Sequence, residues 1–250
     1  VINDYFDTKA DRISGSRHVI VGKTISRRTA ITLHTLLNVV AVGIAFYLAQ
    51  SIQHSEIVFL FLIISLILWF YSSRFKKYFI WGNLCVAFLA GLIPLTVITF
   101  EIPLLSDVYS DVVVKTHVGF ASVFYWTLCF SYLLFFNMLI YEINKDIYSV
   151  NGDRAEGITT IPVKWGISAT RTLLTGLTIL VISFLIAFFL WKFSESVLAG
   201  IYMVIFLILP YIGYALVIRR KGCMKVQLRL IRTLMVLCML LSLFVHTTLK

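Results

Sequence analysis

The chain has 250 residues, of which 60% are apolar and only 14% charged, against roughly 45–50% and about 25% in an average soluble domain. With a mean hydropathy of +0.92, this balance excludes a water-soluble fold, so the formal charge of +10 does not describe a nucleic-acid module. Four Cys are too few for a disulfide scaffold, and Cys85, Cys129 and Cys238 lie inside apolar runs.

The first residue is Val and no secretory-signal pattern precedes it, so the sequence reads as one that lacks its true N-terminus. A polar segment comes first. Seven apolar stretches follow, at 29–50, 56–71, 79–100, 117–141, 169–191, 196–218 and 228–248. A helix needs about 20 mostly apolar residues to cross the hydrocarbon. These runs are continuous rather than alternating, so they read as helices and not as barrel strands. Pro94 and Pro210 fall inside them, and each is expected to bend its helix for packing. The predicted fold is therefore an all-α polytopic membrane helix bundle.

Charge sets the orientation. The connections before spans one, three, five and seven, together with the first residues of the spans they lead into, hold nineteen of the 22 cations. By the positive-inside rule these connections face the cytoplasm.

The acids then fall into two groups on that side. Asp4, Asp7 and Asp11 are spaced i, i+3, i+7, which puts them on one face of a helix. Glu142, Asp146, Asp153 and Glu156 form the second group. Four crossings separate the groups, an even number, so both lie on one side of the bilayer. Asn151-Gly152 reads as a turn, which places Asp153 just past the end of its helix. Stacked carboxylates repel, and at a membrane edge the repulsion costs more. A cation relieves it. Oxygen ligands with no Cys/His set beside them suit Mg²⁺, which typically takes one or two carboxylates plus substrate phosphates.

Arg17, Lys23, Lys76 and Lys145 lie on the same side as the acids. Acids for a metal beside bases for an anion are what a diphosphate requires. Arg27, Arg28 and the cations at 219–232 read instead as anchors at anionic headgroups. Within the spans, His34 and Asn38 read as structural hydrogen-bonding groups, whereas Asn137 and Tyr141 are expected to face a cavity below Lys145. Phe124, Tyr125, Tyr132 and Phe136 are candidates for stabilising a carbocation through their ring faces.

Four segments carry a resemblance. Residues 3–11 (NDYFDTKAD) match NDxxDxxxD, and residues 145–157 (KDIYSVNGDRAEG) resemble the second acidic motif of the UbiA-type intramembrane prenyltransferases. Residues 159–166 (TTIPVKWG) are similar to the TLPVxxG that follows it in the family, and residues 71–76 (YSSRFK) to its YSxxxK segment. Ser149 stands where many members have Asp, Asn151 replaces a frequent Glu, and His18 replaces a Pro.

The resemblance implies nine transmembrane helices around a cavity open to lipid, seven of them after the first motif. Residues 1–250 would then be one prenyltransferase domain, truncated at its N-terminus by one to two helices. It implies that Mg²⁺ held by both motifs binds a prenyl diphosphate, whose C–O bond ionises before a lipophilic acceptor attacks. Asn3, Asp4, Asp7, Asp11, Asp146 and Asp153 would hold the metal, with Asp7, Asp11, Asp146 and Asp153 as the catalytic acids. Asn3, Arg17, Lys23, Lys76 and Lys145 would bind diphosphate. The first motif resembles the digeranylgeranylglyceryl phosphate synthase-like branch, whose acceptor is a lipid hydroxyl. The implied place is a bacterial or archaeal-type inner membrane with the site facing the cytoplasm. The implied partners are the two substrates and membrane lipids, without nucleic acid or an obligate protein partner. An aromatic acceptor, as in quinone biosynthesis, is the alternative, and an ion-coupled transporter is the alternative of another class.

Overall fold

The computed structural model describes residue 2 and residues 5–6, 20–109, 120–220 and 223–248. Apart from an isolated bridge between Val21 and Ile25, the regular structure among the described residues is helical. Seven helices are long and apolar enough to cross a membrane. They are α1 (Arg27–Ser51), α2 (Val58–Ser73, entered through a 3₁₀ turn at Ser55–Ile57), α3 (Trp81–Val108), α4 (Ala121–Ala155), α5 (Ile161–Lys192), α6 (Val197–Val217) and α7 (Met224–Leu240, prolonged by a 3₁₀ stretch Leu241–Thr248). All seven expected spans are present, and the protein is an integral membrane protein. In lipid a helix satisfies its own backbone, which is why each apolar run takes this form.

The chain divides into two compact bodies, Val1–Cys85 with Thr96–Ser122, and Val86–Leu95 with Val123–Lys250. In the first, α1 starts where the Ser26 hydroxyl accepts the amide of Thr29 at 3.0 Å, the usual cap of a helix N-terminus. Only Ala30, Ala45 and Ala49 are buried along α1. Its large apolar side chains, including Leu36, Val39 and Tyr47, are exposed and suit contact with lipid tails. Asn38 donates to the carbonyl of His34 at 2.8 Å, so its amide is satisfied within its own helix.

The second body holds a dense core. Leu133, Ile140, Leu174, Leu207, Tyr211 and Leu234 have no exposed surface. Trp126 meets Phe188 and Phe193 edge-on, with ring centroids 5.1 Å apart in each pair. Three helices are joined by polar side chains. The Tyr211 hydroxyl on α6 donates to Asn137 Oδ1 on α4 at 2.6 Å, and Asn137 Nδ2 donates to the Leu133 carbonyl at 2.8 Å and points to Cys238 Sγ on α7 at 3.8 Å. Asn137 therefore faces this interhelical contact, not a cavity. Tyr211→Phe should lower stability by about 1 kcal/mol, the usual worth of an interhelical hydrogen bond in lipid. Thermal unfolding of the purified variant checks this, and an unchanged midpoint would count against it.

Helix α3 runs unbroken through Pro94. Ahead of Pro210, residues Met203–Ile208 wind as a π-helix. The wider turn makes room for a ring that would otherwise strike the carbonyl one turn back.

The end of α4 corrects the sequence reading. Asn151-Gly152 does not turn the chain, and the helix continues through Asp153 to Ala155. The stop comes at Gly157, whose φ is 71°. The amide of Ile158 bonds the carbonyl of Asp153 at 2.8 Å, and that of Gly157 bonds the carbonyl of Arg154 at 3.3 Å. These paired bonds around a left-handed glycine are the Schellman closure. Gly152 lacks any such closure and is carried along as a helical residue.

Candidate metal and diphosphate site

Helix α4 has 35 residues, which at 1.5 Å rise is about 52 Å. A hydrocarbon layer is about 30 Å thick. One end of α4 must therefore project beyond it, and that end carries the second acidic motif. Because the helix continues, Glu142, Asp146, Ser149 and Asp153 follow one another at i, i+4, i+7 and i+11 and make one stripe of oxygen-bearing side chains. The sequence reading placed Asp153 past the helix end and so off this face.

Each member has a defined environment. Glu142 is buried and receives the Lys145 ammonium at 2.6 Å. Asp146 is buried, with 8% of its surface exposed. Asp153 is half-buried, and its Oδ2 accepts the Ser149 hydroxyl at 2.9 Å and the Thr160 hydroxyl at 3.2 Å. Two hydroxyls on one oxygen orient the carboxylate.

Thr160 was not anticipated as a site residue. It is the N-cap position of α5, yet its side chain makes no cap bond to its own helix. Its hydroxyl serves Asp153 at the end of the preceding helix instead. The tight Gly157 closure makes this possible, because it returns the chain over only a few residues. A second unanticipated feature is Gly166, which interrupts α5 with φ 82° and ψ 160°. That region of backbone space is essentially open to glycine alone.

The remaining expected site residues are spread more widely. Asn3, Asp4, Asp7, Asp11 and Arg17 lie outside the described residues. Lys23 is exposed in the tight turn ahead of α1, where the amides of Thr24 and Ile25 bond the carbonyl of Ile20 at 2.9 and 3.1 Å. Lys76 is half-buried in the 3₁₀ turn Phe75–Lys77 between α2 and α3. Gly82 packs so closely beneath that turn that an added Cβ would sit 3.2 Å from Lys76 Cα.

Among the described residues no three His, Cys, Asp or Glu side chains converge enough to hold a metal ion by themselves. Asp146 and Asp153 are two turns apart, about 10.5 Å of helical rise, whereas Mg²⁺–oxygen bonds are about 2.1 Å. Each carboxylate therefore suits a separate ion completed by water and ligand oxygens. The donors are carboxylate and hydroxyl oxygens, which match Mg²⁺ in kind.

The second body also contains an apolar cavity of about 440 Å³, lined by Phe88, Leu92, Tyr132, Phe135 and Phe184 among others. Tyr132 stacks on Phe184 with centroids 4.1 Å apart and lies against Phe136 at 4.5 Å. Of the four rings singled out in the sequence, Tyr132 lines this cavity, while Phe124 and Tyr125 are exposed.

Residues 1–230 match the UbiA prenyltransferase family. The digeranylgeranylglyceryl phosphate synthase of Thermococcus sibiricus is 29% identical over 170 residues, 68% of this chain and 52% of that protein. The enzyme of the same name from Methanothermobacter thermautotrophicus is 30% identical over 173 residues, 69% of this chain and 53% of that protein. The one from Methanoregula boonei is 28% identical over 223 residues, 89% of this chain and 70% of that protein. The chain thus matches about half the length of the first two relatives. A solved structure of a digeranylgeranylglyceryl phosphate synthase superposes with a TM-score of 0.55 at 18% identity, covering 99% of this chain and 77% of that one, which shows a shared fold.

Proposed function

Because this chain belongs to the UbiA prenyltransferase family, we propose that it serves the transfer of an isoprenyl group from a prenyl diphosphate to the hydroxyl of a glycerol-phosphate lipid, at the cytoplasmic face and with Mg²⁺. The observation that carries this reading is the oxygen stripe on the projecting end of α4, with Asp153 oriented by Ser149 and Thr160. Likeness to enzymes named digeranylgeranylglyceryl phosphate synthase supports a glycerol-phosphate lipid as acceptor over an aromatic one. The acids begin 21 residues into a 35-residue helix, beyond the roughly 20 that cross the hydrocarbon. That position supports chemistry at the membrane boundary over an ion path through its middle.

When bound, Mg²⁺ neutralises the diphosphate and stabilises the charge that gathers on it as the leaving group departs. Asp146 and Asp153 would hold the metal. Ser149 and Thr160 keep Asp153 in one rotamer, so little reorganisation is needed when the substrate arrives. Asn3, Asp4, Asp7 and Asp11 would complete the metal set from the first motif, and even-numbered crossing supports their lying on the same side as α4. Arg17, Lys23, Lys76 and Lys145 would face the diphosphate oxygens with fixed positive charge. Lys145, bonded to Glu142, has two more ammonium hydrogens to offer. The aromatic cavity beside Tyr132 offers the prenyl chain a dry wall, and water must be kept from an allylic cation.

The test is incubation of membranes carrying the full-length protein with labelled geranylgeranyl diphosphate, Mg²⁺ and either geranylgeranylglyceryl phosphate or 4-hydroxybenzoate. The expected result is a labelled lipid ether with the first acceptor only. Transfer to 4-hydroxybenzoate alone would overturn the acceptor, and no transfer to either would overturn the reading. The double variant Ser149→Ala/Thr160→Val should raise the Mg²⁺ concentration needed for half-maximal turnover by about 10–100-fold, the usual cost of removing groups that orient a metal ligand. An unchanged Mg²⁺ requirement in that titration would count against their role.

A further inference from the structure

Arg171 on α5 and Arg219, just past the end of α6, meet at a cavity of about 580 Å³ that is also lined by Ile167, Ser168 and Thr172. Arg171 Nη1 donates to the backbone carbonyl of Arg219 at 3.3 Å, so the Arg171 guanidinium lies against the backbone of Arg219. Among the described residues neither guanidinium has a carboxylate partner. Lys145, in contrast, has Glu142. Two cations that line one cavity with no carboxylate partner favour an anionic ligand there. The hydroxyls divide the same way. Thr172 already donates to the Ser168 carbonyl at 3.3 Å, while the Ser168 hydroxyl makes no hydrogen bond among the described residues and lines the cavity.

The position gives the ligand its second property. Ser168 and Arg171 follow directly on the break at Gly166, where the helix restarts and its positive dipole end lies. Arg219 lies two residues past the apolar span Val197–Val217. Ile167, which lines the cavity, is exposed, and so is Leu216, one turn before Arg219 in the chain. An anion at the arginines thus has an apolar surface next to it, which free phosphate cannot use and an acyl chain can.

We propose that Arg171, Arg219 and Ser168 form a binding site for the phosphodiester headgroup of an anionic membrane lipid. Arginine suits it because its planar fork takes two phosphate oxygens at once. The site is separate from the oxygen stripe on α4 and does not depend on the prenyl-transfer reading.

The experiment is native mass spectrometry of the full-length protein released from vesicles of phosphatidylglycerol and phosphatidylcholine in equal amounts, with turnover playing no part. Wild-type protein should retain phosphatidylglycerol in preference, and Arg171→Gln/Arg219→Gln should lower that retention by about tenfold. Ser168→Asp places a carboxylate among the cations and should produce the same loss, so the proposal stays testable if the double variant fails to fold. Inorganic phosphate at millimolar concentration should not displace the lipid. Retention that is equal in wild type and variants would overturn the proposal. Displacement by phosphate alone would overturn the lipid as occupant.

Discussion

Asp153→Asn is expected to lower prenyl transfer by about 10²–10³-fold while leaving the protein folded. The asparagine keeps an oxygen that can accept the hydroxyls of Ser149 and Thr160, which bond this side chain at 2.9 and 3.2 Å. What is lost is the negative charge a metal needs. Asp153 is only half-buried, so the change in stability should stay within about 1 kcal/mol. Asp146→Asn should reduce activity as much, because its carboxylate lies two turns earlier on the same stripe and would serve a separate ion. Turnover measured in membranes, beside thermal unfolding of the purified variants, separates lost chemistry from lost fold. Wild-type turnover in either variant would contradict the assignment.

Gly166→Ala should damage both fold and activity. At φ 82° and ψ 160° a side chain is strained whatever space surrounds it, and the cost is about 1–3 kcal/mol. The strain would be relieved by rotating the five residues before the break, and these follow directly on Thr160. The hydroxyl that orients Asp153 would move with them. Gly176, in the same helix, is the control. An added Cβ there meets nothing within 4 Å, and the residue is helical, so Gly176→Ala should gain about 0.5–1 kcal/mol. Thermal midpoints that move in opposite directions are the expected result. Equal midpoints for the two variants would show that Gly166 is not conformationally required.

The seven crossings were legible because hydropathy reports the one property that lipid demands, a long apolar helix. Helix ends were less so, since they depend on where the chain can close its last carbonyls. Asn151-Gly152 has the composition of a turn, but Gly157 supplies the left-handed residue on which the closure is built. This single difference moved Asp153 from a loop onto the acidic stripe. Asn137 was misread for a related reason. Periodicity places it on a helix face, but only the packed helices reveal that Tyr211 and Cys238 occupy that face. The role of Thr160 was hidden because it depends on the return of the chain after Gly157. Ser149, by contrast, had a sequence signal, as it stands where an acid is common in the family and keeps the spacing of the stripe. The first motif was read from its spacing and from the count of crossings, and its residues Asn3, Asp4, Asp7 and Asp11 lie outside those the structure describes.

The proposed role of the α4 carboxylates is to hold divalent metal together with a diphosphate. Its most direct test is a Mn²⁺ titration of the full-length protein followed by electron paramagnetic resonance, with and without an unreactive prenyl thiodiphosphate. The expected result is tight Mn²⁺ binding that requires the diphosphate analogue and is lost in Asp146→Asn/Asp153→Asn. Mn²⁺ binding of equal strength in that double variant would contradict it.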